Sequence, residues 1–223
     1  MAANTDRRSL LNAGAVLAGA AAVAAPAQAK DAPASNWSPT LDALDDWMDK
    51  PGTRHRVIYD TTGASAARKG AHFANNFYVA NKSAYGIPES ELAVILVLRA
   101  ESTPFGYGDT VWKRYGKTFA KLMKYDPKQT NEAERGNPLL SGGDNEMAPS
   151  LALLAAKGAR FAVCGMATHG ISGMLAKQAG EDAAEVEAFI KANLVPGAVV
   201  VAAGVVGVSR AQERGYTFTY VAD

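Results

Sequence analysis

Leu92-Ala93-Val94-Ile95-Leu96-Val97-Leu98 is a run of seven apolar residues without a break. Such a run marks a strand covered on both faces, the central strand of a parallel sheet, because a half-exposed strand alternates apolar and polar residues. Upstream, Arg56-Val57-Ile58-Tyr59-Asp60 reads as the first core strand, ended by Thr61-Thr62-Gly63. From Ser65 to Ala84 the spacing of Ala66, Gly70, Phe73, Phe77, Ala80 and Ala84 gives a helix with one apolar face. The period changes from two to 3.6, as a βα unit requires.

Downstream the alternation continues. Helices are predicted from about Asp109 to Lys124 and from Met147 to Lys157, closed by Gly158, with a strand following from Ala159 to Val163. A helix over Glu181 to Leu194 stops at Pro196-Gly197, Ala198 to Ala202 is a strand, Val205 to Arg214 a helix closed by Gly215, and Tyr216 to Val221 the last strand. Five strands alternating with helices predict an α/β fold: a three-layer α/β/α domain with a five-stranded, mainly parallel sheet. Residues 125–141 lack periodicity and contain Asp126-Pro127 and Gly136-Asn137-Pro138, so they are expected to form a lid, an assembly contact or a flap.

The first 29 residues read as an address. Thr5-Asp6-Arg7-Arg8-Ser9-Leu10-Leu11 is a twin-arginine pattern, an Ala/Gly-rich apolar run follows to Ala25, and Ala27-Gln28-Ala29 is a small-residue cleavage site. The expected division is a signal peptide over 1–29, an N-terminal arm over 30–53 and an α/β domain over 54–223, in a periplasmic protein. In the arm, Leu41, Leu44, Trp47 and Met48 fall at helical spacing. The leader holds two of the 23 basic and one of the 22 acidic residues, so the remainder is formally neutral. A neutral chain lacks the basic stripe a nucleic-acid partner calls for.

The protein has one cysteine, Cys164, within Arg160-Phe161-Ala162-Val163-Cys164-Gly165-Met166-Ala167-Thr168-His169-Gly170. A thiol at the carboxyl end of such a strand sits where ligands bind in open α/β sheets, and the amides opening the next helix favour its thiolate. A lone cysteine also packs readily as a small apolar residue, so both readings stand. His169 lies five residues on, where an imidazolium would lower a thiol pKa, or else it is a solvent-facing residue at a helix start. Arg99 and Glu101 follow the central strand on the same sheet edge, and are expected to pair with each other or to bind an anion and move a proton.

Other chemistries find no support. Ile171 stands where a phosphate loop needs lysine, no Gly-x-Gly-x-x-Gly follows the first strand, and no Gly-x-Ser-x-Gly elbow occurs. His55, His72 and His169 have no metal-site spacing. No cofactor or metal is expected.

The chain resembles the DsrE/DsrF-like proteins of sulfur metabolism. The resemblance rests on the helix ending in Lys157-Gly158, the strand into Cys164, Leu194-Val195-Pro196-Gly197-Ala198-Val199-Val200-Val201, Ala203-Gly204-Val205-Val206-Gly207-Val208, and Gln212-Glu213-Arg214-Gly215-Tyr216-Thr217-Phe218. It implies a homotrimer or homohexamer with a persulfide-carrying cysteine at Cys164, and a sulfur donor or acceptor, protein or small molecule, as partner. Arg99, Glu101, Thr168 and His169 would shape the pocket. Relay members commonly carry His-Gly where this chain has Arg99-Ala100-Glu101, and they work in the cytoplasm. The rival expectation is a non-catalytic periplasmic small-molecule-binding or assembly protein that uses the aromatic loop from Phe105 to Trp112.

Overall fold

The structure, a computed structural model, describes residues 37–140 and 149–223. The leader, with Arg7, Arg8 and Ala29, lies outside the described residues, as do the first residues of the helix expected from Met147. The compact body runs from Pro39 to Asp223. Its strands are β1 (His55–Thr61), β2 (Leu92–Leu98), β3 (Arg160–Cys164), β4 (Ala198–Val201) and β5 (Thr217–Val221). Its helices are α1 (Ala64–Tyr85), α2 (Asp109–Leu122), α3 (Pro127–Ala133), α4 (Leu151–Ala156), α5 (Gly165–Ala179), α6 (Ala183–Ala192) and α7 (Gly204–Glu213). Among the described residues no helix is long and apolar enough to cross a membrane.

All five strands are parallel, in the order β4-β3-β2-β1-β5. Chain direction explains the three layers. Every step from β1 to β4 moves the same way across the sheet, so right-handed crossovers put α1 to α6 on one face; the last step runs back across the sheet and puts α7 on the other. Burial follows suit. Leu92, Val94, Leu96 and Leu98 join the larger core with Trp112, Leu175 and Ile190, whereas Ala93, Ile95 and Val97 join a smaller core with Met48, Ala211 and Tyr216. All seven β2 residues are buried, and each of its Leu, Ile and Val side chains contributes about 1.5–3 kcal/mol relative to exposure. The unbroken run is therefore the centre of the fold, as read.

Three expectations need correction. The segment 125–141 is no lid or flap where it is described: Asp126 and Gln129 cap α3 reciprocally, at 2.8 and 3.1 Å, and Asp126-Pro127 starts that helix. Beyond α3, the buried Asn137 side chain donates to the carbonyls of Phe105 and Tyr107, both at 2.8 Å, and accepts the Leu139 N–H at 2.9 Å. The aromatic loop is not a binding surface either. Phe105, Tyr107 and Trp112 are each 0% exposed, and the Trp112 indole N–H donates to the Pro104 carbonyl at 2.7 Å.

The arm is the third. Its 43–48 segment is a 3-10 turn that buries Met48 and leaves Leu44 85% exposed. Polar bonds fasten it more than an apolar stripe does. The Arg214 guanidinium, buried beneath it, donates to the Asp42 carbonyl at 2.9 Å and to Asp46 at 3.1 Å, and the Tyr216 hydroxyl donates to the Met48 carbonyl at 2.5 Å.

Candidate functional site at the carboxyl edge of the sheet

β3 ends on Cys164, and the small-residue turn that follows it in sequence is the opening of a fifteen-residue helix, α5. Cys164 is the cap of that helix. Its Sγ accepts the Ala167 N–H at 3.4 Å, which aims the sulfur at the positive end of α5. The join tolerates no side chain: a Cβ on Gly165 would come within 2.6 Å of the Val201 carbonyl oxygen. Cys164 is buried, with 7% of the residue exposed.

Register places other groups beside it. Cys164 pairs with Val201, and Asp60 pairs with Val97, residues of the smaller core, so Cys164 and Asp60 point to the α7 side of the sheet. Arg99, one residue beyond β2, shares that side, and its stem lies so close to Gly204 that a Cβ there would meet the Arg99 Cβ at 2.6 Å. The Arg99 guanidinium binds Asp60 through both arms, Nε to Oδ1 at 2.7 Å and Nη2 to Oδ2 at 2.8 Å. That bidentate pair pushes the Arg99 pKa above the usual arginine value, against the opposing effect of burial. The expected Arg99–Glu101 pair is therefore replaced by Arg99–Asp60. Asp60 was overlooked, although an acid closing a buried apolar strand is a signal that it has a partner.

Thr168 is fully buried and acts as a prop instead of a pocket wall. Its hydroxyl donates to the Cys164 carbonyl at 2.9 Å and accepts from the Tyr107 hydroxyl at 2.9 Å. Burial raises the Tyr107 pKa far enough to keep that hydroxyl a donor. His169 turns away from the sulfur: 80% exposed, it meets Glu187 at 2.7 Å, and Lys191 meets the other Glu187 oxygen at 2.6 Å. Lys191 first and His169 second hold the Glu187 carboxyl below the usual range. Together they line a cleft of about 400 Å³ with Gly165 and Met166. Glu101 is solvent-exposed on the other flank of α5, at an apolar cleft of about 350 Å³ with Pro104, Met123, Ile171 and Met174.

The structure thus brings Cys164 and Arg99 to one sheet edge and disperses Glu101, Thr168 and His169 around it. Ala100, between the site residues Arg99 and Glu101, adopts a left-handed φ of 52°, which costs a non-glycine residue roughly 1–2 kcal/mol. Among the described residues no cluster of three or more His, Cys, Asp or Glu could hold a metal ion. The arrangement places the Cys164 sulfur at a helix terminus, on the side of the sheet that also carries the Arg99–Asp60 pair.

No family model matches the chain, and no curated protein is similar to it. Among solved structures it matches weakly that of MTH1491, a protein of unknown function from Methanobacterium thermoautotrophicum, at 15% identity over 74% of this chain and 98% of that one, with a TM-score of 0.37.

Proposed function

We propose that this chain is an exported DsrE/DsrF-like protein in which Cys164 carries sulfane sulfur as a persulfide. The observation that carries the reading is the position of Sγ as the cap of α5, on the same side of the sheet as Arg99. In the loading step the Cys164 thiolate attacks the outer sulfur of a donor persulfide, R–S–SH. The new bond joins Sγ to that sulfur, the donor S–S bond breaks, and R–S⁻ leaves, so no external oxidant or reductant is needed. The helix terminus and Arg99 favour the anion before and after transfer. Thr168, itself held by the Tyr107 hydroxyl, donates to the Cys164 carbonyl and so fixes the sulfur's place.

Exposure of the purified chain to glutathione persulfide tests the reading. Mass spectrometry is expected to show a gain of one or more sulfur atoms at Cys164, lost in Cys164→Ser with the circular dichroism unchanged. A thiol that gains sulfur only after denaturation overturns the proposal.

Location and assembly belong to the same reading, supported by the Arg7-Arg8 and Ala27-Gln28-Ala29 patterns and by the resemblance. The mature chain is expected in the periplasm, beginning at Lys30 and behaving as a trimer or hexamer in light scattering. Recovery of an unprocessed precursor in the cytoplasm, or a monomer at micromolar concentration, contradicts that part alone.

A further inference from the structure

At the amino ends of β2 and β3, on the edge of the sheet opposite Cys164, lies a cavity of about 620 Å³. Its volume is that of a small-molecule site. The arm contributes Trp47, Met48 and Lys50, α4 contributes a wall of alanines, Arg160 stands at the start of β3, and Tyr216 closes the far side. Space is left because α4 presents Ala152, Ala155 and Ala156 where longer side chains would fill it.

Its charge is not balanced. Lys50 Nζ donates to the Leu92 carbonyl at 2.7 Å and the Glu89 carbonyl at 3.3 Å, which fixes the ammonium in place with a third N–H to spare. Arg160 is exposed, and its guanidinium has no carboxylate partner among the described residues. Nearby acids are engaged elsewhere. Glu89 pairs with Lys157 at 2.9 Å, while Asp49 stands 3.6 Å from Arg56 and 3.5 Å from Arg214. Burial, and after it the charge of Arg160, hold the Lys50 pKa below the usual lysine range against an opposing pull from Glu89. Two cations, Lys50 and Arg160, thus face one half-enclosed space whose one lining carboxylate, Asp49, is already shared between Arg56 and Arg214.

We propose that this cavity binds a small organic carboxylate with an apolar body. The carboxylate lies between Lys50 and Arg160, whose planar fork suits its two oxygens, and the apolar body lies against Trp47, Met48 and the α4 alanines. The site is separate from Cys164 in place and chemistry.

Calorimetric titration of the full chain with octanoate, octanol and octylamine tests it. Octanoate is expected to bind saturably at one site, and the alcohol and amine are not. Arg160→Gln, at an exposed position, is expected to weaken octanoate about tenfold, the loss of one charge-assisted hydrogen bond. Ala156→Trp, also at an exposed position, is expected to abolish binding with the melting temperature unchanged. Absence of saturable octanoate binding, equal binding of octylamine, or unaltered octanoate binding in both variants overturns the proposal.

Discussion

Replacing Asn137 with alanine is expected to lower stability by roughly 4 kcal/mol, since each orphaned buried hydrogen-bonding group costs about 1–3 kcal/mol. Three such groups depend on this one amide: the carbonyls of Phe105 and Tyr107 and the N–H of Leu139. Asn137→Asp separates the roles. It keeps the acceptor for Leu139 but turns a carboxylate toward two carbonyl oxygens, so it is expected to be at least as damaging as alanine. Urea denaturation measures both, and an aspartate variant as stable as the parent would refute the bridging role. A second effect is expected at the sulfur. Tyr107 holds Thr168, and Thr168 holds the Cys164 carbonyl, so Asn137→Ala is expected to speed alkylation of the native thiol by iodoacetamide.

Arg99→Leu is the other large change. It leaves the Asp60 carboxylate, whose side chain is 6% exposed, without its guanidinium, and removing one member of a buried pair costs on the order of 3 kcal/mol. For a body of this size that lowers the melting temperature by roughly 6–12 °C. Adding Asp60→Asn to Arg99→Leu is expected to recover part of the loss, because a neutral amide replaces the stranded charge. Strictly additive single and double variants would show that the two side chains are not energetically coupled.

Periodicity made most of the fold legible. The seven apolar residues of β2, the 3.6-residue spacing over α1 and the glycines after α4 and α7 each report a local force, burial or backbone geometry, that acts within a short window of sequence. Long-range partners left no such trace. Nothing local to Asn137 reveals that its amide bridges a loop some thirty residues upstream, so residues 125–141 read only as an aperiodic connection. The same holds at the site. Cys164 was placed by its strand, but the Arg99–Asp60 pair spans 39 residues and depends on β1 lying beside β2, which local reading does not supply. The aromatics from Phe105 to Trp112 were misjudged because glycines around them signal a loop, and a 3-10 turn can tuck its side chains into a core as well as a helix can.

The return of the chain from β4 to β5 also sets when folding can finish. β1 forms one ladder with β2, some 37 residues downstream, but its other ladder joins Val57 to Thr217, with nearly the whole domain in between. Closing so long a loop comes late, and pairings this distant in sequence slow folding. A nascent chain therefore carries β1 with an unpaired edge until its last strand has left the ribosome, and an open edge recruits other chains. On the proposed export reading, a membrane route that accepts only finished domains would hold the chain back until that edge is covered.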